Sequence, residues 1–599
     1  MKSVKNYIAL LGVLLVMAPA GYGQSRSDRT PRLSSESGRI NDLTRKYKPQ
    51  SVAPIDMSNS SRLEQLTRAG NLYLSLNDAI ALALENNIGI EIQRYQFEVT
   101  DVAYQSSLAG ANGAFDPTFS VNQFNYQHSA QPVTNNVGTG NVTTNITDTY
   151  NRNFQLAQTF KTGANATFGF NTSKSTTNNQ NTNFVPNLSG NLNLNITQPL
   201  LRGFGVGLNT LGITIAKNNR RAADYTFRTQ INTQVNTVVA AYWNLVSASL
   251  NVGVARQSLE LSQRLLDQNK KQIEIGTMAP IDIKQTEVQV ANGELAVITA
   301  EAAVSTQENT LKNIISRNSL ASASLASVHI IPTSRVEVPA VEPVQPIQDL
   351  TDMALKSRPE LEQARINLEN TQTNLRTSKN ALLPQLNLTG TVSNPASGGV
   401  LNPVPNVNAA GITVPRAVNP DRTGGFGNTL NQLFYQPTVN YTLGFTFTIN
   451  LRNRSQQAAY ATASLNQRTQ ELQLQQQINQ IRADVANAQI NITSARGRLS
   501  AAEKALAAQE AVVDGEQRKF QLGTSTLYVV IQQQNTLATS RQNVVTAQVA
   551  YATAKLAMDV ATGNLMEKYG IVFEEAKDGA LSRRPDPIQD VVNNGQAAR

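Results

Sequence analysis

What this chain can do chemically is bounded first by what it lacks. It has two histidines and no cysteines. The missing thiols exclude disulfides, thiolate metal sites, cysteine nucleophiles and an N-terminal lipid-anchored cysteine. His128 falls at a strand end or loop and His329 in a linker, and neither has partners at catalytic spacing. No glycine-rich phosphate loop, metal-ligand cluster or Ser/His/Asp set occurs, so no cofactor is expected and an enzyme is poorly supported. The formal net charge is +9, with Lys and Arg scattered along helical stretches. Nucleic-acid binding wants that charge clustered with aromatics, so a solvated surface is the better reading. Two short runs and one acid remain. The runs are Ile275-Gly276-Thr277-Met278-Ala279 and Leu522-Gly523-Thr524-Ser525-Thr526, and Asp282 follows the first. By its residues alone each run caps a helix turn, and Asp282 is a solvated acid at a helix start, where the dipole favours it.

The elements that position these runs are long helices. Leu474, Ile478, Ile481, Val485, Ala488, Ile492, Ala495, Leu499, Ala502 and Leu506 step by four and three residues. That 3.5-residue repeat is a left-handed supercoil seam. A helix from about Ser455 to Phe520 would be roughly 100 Å long at about 1.5 Å per residue, and Gly523 is placed to end it. Val238, Ala241, Leu245, Ala248, Val252, Ala255, Leu259 and Leu266 repeat the pattern. Pro280 then suits the first turn of a returning helix. The chain therefore carries two long antiparallel helical hairpins with similar tips.

In chain order, residues 1–23 read as a secretory signal, with Lys2 and Lys5, an apolar run from Ile8 to Met17, and small residues for cleavage after Ala20 or Gly23. Residues 24–71 read as a flexible extension. A helix follows from Leu76 to about Ala109, capped by Ser75 or Asn77. Its buried side carries Ala79, Ile80, Ala83, Leu84, Ile88, Ile92, Tyr95 and Val99. Strands occupy about 115–199 and a hairpin 209–317, completing a first repeat over 72–318. A Pro-rich linker covers 319–347. The plan recurs over 348–570: a helix, strands at about 384–451 with a loop over 393–437, and a hairpin at 455–565. A polar tail, 571–599, closes the chain.

Phe154, Leu156 and Phe160 alternate with polar residues, as do Ala164, Ala166, Phe168 and Phe170, then Leu192, Leu194 and Ile196, and later Tyr441, Leu443, Phe445 and Phe447. Period-2 alternation marks strands with one apolar and one polar face. Tight turns such as Lys161-Thr162-Gly163 alternate with long Asn/Thr-rich loops, as in membrane barrels. A soluble β-sandwich is the alternative, but no second apolar face is present to cover these strands. No apolar run of spanning length follows the signal, so any crossing is by β-strands.

The two Gly-Thr tips after heptad helices, the junctions Gln198-Pro199-Leu200 and Ile449-Asn450-Leu451, and the twofold repeat together resemble the TolC-type outer-membrane efflux protein family over roughly Leu72 to Tyr569. The resemblance implies an α plus transmembrane-β fold. Helical hairpins would form a periplasmic α-barrel, and four to six strands per chain would join one trimeric outer-membrane β-barrel. It implies the outer membrane of a Gram-negative-type cell and passive exit for substrates of efflux or type I secretion. The partners would be two further copies, a periplasmic adaptor, an inner-membrane transporter of RND, ABC or MFS type, and outer-membrane lipid. Both tips would dock the adaptor. Asp282 matches an aspartate of the family's closed entrance, while Val529 and Gln532 occupy the matching positions after the second tip. Ser525 stands where the family's linking arginine would be. Twelve strands per trimer is usual; six candidates per chain would make eighteen, or the Asn153–Thr172 hairpin would be an add-on outside the barrel wall. The rival reading is a structural periplasmic coiled-coil protein without a transport role.

Overall fold

The computed structural model describes residues 54–68, 70–133, 143–274, 281–318, 323–339, 345–407, 412–435 and 438–586, with isolated positions 47, 49, 52 and 321. The chain divides into Met1–Ser58 and Asn59–Arg599. The first unit has no helix or strand among its described residues, and its Ser58 amide donates to Asp56 Oδ1 at 2.8 Å. The expected signal at 1–23, the tip Ile275–Ala279 with Pro280, and the tail beyond 586 lie outside the described residues.

The second unit begins with α1 (Ser61–Leu66), β1 (Thr67–Arg68), β2 (Asn71–Leu74), α2 (Leu76–Asn86) and α3 (Ile88–Leu108). Four strands follow: β3 (Thr118–Pro132), β4 (Thr144–Thr159), β5 (Asn165–Thr177) and β6 (Phe184–Pro199). The first hairpin is α4 (Leu211–Glu274) and α5 (Asp282–Ile315). Then come β7 (His329–Pro332), α6 (Ile347–Ser357), α7 (Pro359–Ala381), β8 (Gln385–Leu401), β9 (Asn406–Val407), β10 (Thr413–Val414), α8 (Phe426–Tyr435) and β11 (Asn440–Thr448). The second hairpin is α9 (Arg454–Gln521) and α10 (Leu527–Thr562), and α11 (Phe573–Asp578) ends the described chain.

Six strands form one antiparallel sheet in the order β11-β8-β6-β5-β4-β3. The β3–β4 pair is continuous with the rest of that sheet. The helices pack side by side. Near the hairpin tips the order is α5, α4, α10, α9; nearer the sheet it is α3, α4, α7, α9. The seam read from the sequence is buried at Ile481, Val485, Ala488, Ala495 and Leu499 of α9 and at Val238, Ala241, Leu245 and Ala248 of α4.

Between sheet and tips lies the main apolar core, where Phe227, Tyr242, Trp243 and Leu311 meet Leu66, Leu72, Leu74, Ile80 and Leu84. Three sequence expectations are corrected here. The extension expected to 71 is folded from residue 59: Leu63 and Leu66 are buried, because α1 and β2 cover α4. The linker expected at 319–347 contributes β7, which pairs in parallel with β2 and hides Ile330. The tail expected from 571 begins with packed structure. Ala576 of α11 is buried, Arg62 Nη2 reaches the Arg583 carbonyl at 2.5 Å, and Ser75 Oγ reaches Asp586 at 2.8 Å.

Other boundaries also differ. The helix expected over 76–109 breaks at Asn87, whose side chain accepts from the Gly89 amide at 2.8 Å and starts α3 afresh. Ser75, not Asn77, caps α2. On α3, Ile88, Ile92 and Val99 are exposed rather than buried. The helix expected over 348–382 breaks at Arg358 because Pro359 must open a new one. The loop expected over 393–437 is largely structured: β8 continues to Leu401 and α8 follows. One stretch of α4 is long and apolar enough to span a bilayer, contrary to expectation. Its Val238, Val239, Tyr242, Leu245 and Val246 are instead buried in the main core.

Candidate functional site at the hairpin ends and sheet edges

The second hairpin turns through a Schellman motif. The Gly523 amide bonds the Phe520 carbonyl at 3.0 Å and the Thr524 amide bonds the Lys519 carbonyl at 3.0 Å. Gly523 sits at φ +74, a conformation that any Cβ would strain. The space around it is open, so the demand for glycine comes from the backbone alone. Thr524 Oγ1 adds a bond to the Lys519 carbonyl at 3.1 Å. Ser525 Oγ donates to Glu516, which also pairs with Lys519 at 3.1 Å. The Ser525 hydrogen bond, then Lys519, hold the Glu516 carboxyl below its ordinary pKa. Thr526 precedes α10 with its side chain unbonded to the helix. Leu527 and Val530 are buried against Leu265 of the first hairpin. The turn is therefore rigid at its base, while Leu522 is 80% exposed at its apex. Sequence reasoning found the turn but missed Glu516, for which the sequence held no signal.

Of the first tip, only its flanks are described. Asn269 Nδ2 and Thr286 Oγ1 bond at 2.9 Å, fully buried between α4 and α5, and pin the two helices just inside the tip. Asp282 opens α5 half-buried, and no ion pair involves it among the described residues. Val529 is half-buried and Gln532 exposed in the first turns of α10. Gln289 Nε2 of α5 donates to Asn535 Oδ1 of α10 at 2.6 Å, a single side-chain link between the two returning helices. No hydrogen bond joins Asp282 to Val529 or Gln532 among the described residues. Ser525 bonds within its own hairpin.

The wall itself has two unfinished edges. On one side stand β11 and α9, with Leu443, Phe445, Leu465, Leu472 and Ile490 exposed. On the other stand β3, α3 and α5, with Phe119, Phe124, Ile92, Val99, Val288 and Leu295 exposed. β3 runs away from the helices and β11 returns toward them, so the two edges are antiparallel to one another.

The apolar residues share one face: Phe154 pairs across to Phe170, Phe170 to Leu192, and Leu194 to Val392, which meets Tyr441. The band they form is oblique to the strands. The apolar row of β3 is centred near Gln123, whose register runs through Asn153, Asn171 and Asn191 to Pro395, just beyond the start of β11. The apolar row of β11 is centred near Gly444, about six residues closer to the helices. At about 3.4 Å per residue and about 4.8 Å between strands, that slip over the six-stranded sheet corresponds to a strand tilt of about 40°. Membrane barrels tilt by about 35–45°. A level apolar band on tilted strands is what a bilayer requires of a barrel wall.

The sequence matches the family described as Outer membrane efflux protein over residues 164–317 and 350–564. It is 21% identical to Outer membrane protein TolC of Escherichia coli (strain K12) over 395 residues, 64% of this chain and 73% of TolC. The CmeC outer membrane channel of Campylobacter jejuni is similar in fold, with a TM-score of 0.55 at 14% identity, covering 89% of this chain and 98% of CmeC. The outer membrane protein VceC of Vibrio cholerae gives 0.52 at 14% identity over 84% and 99%. Nothing in these likenesses supports a purely structural coiled coil. The chain belongs to the outer membrane efflux protein family and is a TolC-type outer-membrane efflux channel with a large periplasmic part.

Proposed function

We propose that three copies close head to tail, β11 and α9 of one protomer against β3, α3 and α5 of the next. Family membership brings with it a trimer that works with an adaptor and an inner-membrane pump in general, and the family is one of channels, not enzymes. The observation that carries the finer reading is the pair of complementary edges. Open strand edges are not tolerated in lipid, and heterologous contacts that close make rings. Six strands per chain then make an eighteen-stranded barrel, continued by a helical tunnel. Residues 1–23 direct export, and the two repeats, 72–318 and 348–570, each supply one hairpin.

Residues Ile275–Ala279 and Leu522–Thr526 dock a periplasmic adaptor, which couples the duct to a transporter of RND, ABC or MFS type. The exposed Leu522 apex on a rigid base supports this reading. A photo-crosslinker at Leu522 or Thr524 in growing cells should capture one periplasmic adaptor. Capture of outer-membrane or soluble bystanders alone would contradict tip docking. Asp282 forms the gate with Val529 and Gln532. A three-fold ring of carboxylates concentrates cations, so Asp282→Asn should lower cation preference in planar bilayers at low salt. Unchanged selectivity would remove Asp282 from the gate.

A further inference from the structure

We propose that α8 is an outer-leaflet lipid anchor, lying on the lipid-facing side of the barrel wall with an acyl chain seated beside it. This rests on the reading that the apolar face of the sheet meets lipid.

The helix is built onto that face. Leu433 and Thr429 are its buried residues, and they press on β6 at Gly190, where an added Cβ would lie 2.8 Å from Leu433. Asn394 of β8 ties both ends of the join: its Nδ2 donates to the Leu433 carbonyl at 2.7 Å, and its Oδ1 accepts from the Thr438 amide at 2.8 Å. Gly398 admits the chain entering α8, since a Cβ there would meet the Arg422 carbonyl at 2.5 Å. Leu192 and Leu194 on the same side of β6 belong to the oblique apolar band.

The position along the strands sets the depth. Gly190 and Ala396 lie about four to six residues from the centre of the band, on the side away from the helices. At about 3.4 Å per residue and the tilt above, that is about 10–15 Å from its midline, the edge of a hydrocarbon layer about 25 Å thick. The residues turned outward fit that level. Phe434 is 48% and Tyr435 81% exposed, and aromatic residues concentrate at membrane interfaces. The sequence of α8, FGNTLNQLFY, carries no charge. Phe434 also closes one end of an open apolar groove lined by Phe154, Phe168, Phe170 and Leu192. That groove runs on from the lipid-facing band, so the continuing membrane interface supplies its occupant, a lipid acyl chain.

Brominated lipids test this. Tyr435→Trp, in the full-length trimer in vesicles, should lose about half its emission to bromines near the headgroup end of the chain, as for a ring about 5–10 Å into the boundary. It should lose little to bromines near the methyl end or to aqueous iodide. Wild type provides the baseline, since Trp243 is 7% exposed in the core between sheet and tips. Phe168→Trp is the control at mid-band, quenched by deep bromines. If Phe168→Trp is quenched and Tyr435→Trp responds only to iodide, or to no quencher, the anchor is overturned alone. If neither responds to lipid, the lipid-facing reading falls with it. Phe434→Trp replaces Tyr435→Trp if the latter does not assemble.

Discussion

The sheet and the helical wall end in the same problem, two unpartnered edges, but the physics of the two edges differs. At β3 and β11 the edge is a row of backbone N–H and C=O groups, each costing several kcal/mol if left unpaired in lipid. At α3, α5 and α9 every backbone group inside the helix is already bonded, and the edge is only a stripe of apolar side chains such as Ile92, Leu295 and Leu472. The sheet must therefore close completely or not form in a membrane. The helices can close, part and close again at the modest cost of exposing a few side chains. On the proposed closure, that difference predicts an open barrel joined to an adjustable tunnel.

The largest effect should come from the strict edge. Leu443→Arg places a charge near the centre of the apolar band, at about 2–4 kcal/mol per chain, repeated in three chains. Trimer yield in outer-membrane extracts should collapse. Thr442→Arg, on the opposite face one residue away, should assemble. Equal yields would mean that the apolar face does not meet lipid.

A smaller effect is expected at the adjustable edge. Leu295→Glu on α5 removes an apolar contact of about 1.5–3 kcal/mol if that side chain is fully covered in the trimer. The trimer should persist, held by its sheet, with higher conductance and faster protease cleavage of the helices. Loss of the trimer would erase the distinction between the two edges.

At the tip, Gly523→Val forces a β-branched residue to φ +74, at about 1–2 kcal/mol. Outer-membrane levels should be normal and efflux lost, whereas Gly523→Asn should retain part of it. Normal efflux in the valine variant would separate the turn from docking.

The smallest effect concerns Glu516. Its pKa lies below the ordinary value in the folded chain, so its contribution is complete above the ordinary carboxylate range and is lost as pH falls through the depressed value. Ser525→Ala should speed amide exchange over residues 516–526 at neutral pH and make no difference in acid below that value. A difference that survives in acid would assign the effect to something other than the carboxylate.

The long helices could be read directly because a 3.5-residue repeat recurs over tens of residues, and Ile481, Val485 and Leu499 are buried as that repeat requires. The strand faces could be read for the same reason. What escaped was short or non-local. His329-Ile330-Ile331-Pro332 is too brief to announce a strand, and its partner, Asn71–Leu74, is far away in sequence. The end of β8 contains Pro395, Gly398 and Gly399, residues that normally signal a loop; here Gly398 and Gly399 receive the segment that enters α8. Ile92 and Val99 read as apolar, but periodicity does not say whether the covering surface belongs to the same chain. Glu516 had no signal at all, since its partner Ser525 lies across a turn whose geometry only the fold defines.

The most direct test of head-to-tail closure through β11 and β3 uses the absence of native cysteines. Cysteine pairs placed at Leu443 or Phe445 and at Val121 or Phe124 should oxidise between protomers in intact outer membranes, giving a ladder that stops at a covalent trimer. If those pairs stay reduced while Leu443 or Phe445 crosslinks instead to Phe168 or Phe170 of β5, the β3–β4 pair lies outside the wall and the eighteen-stranded closure is wrong.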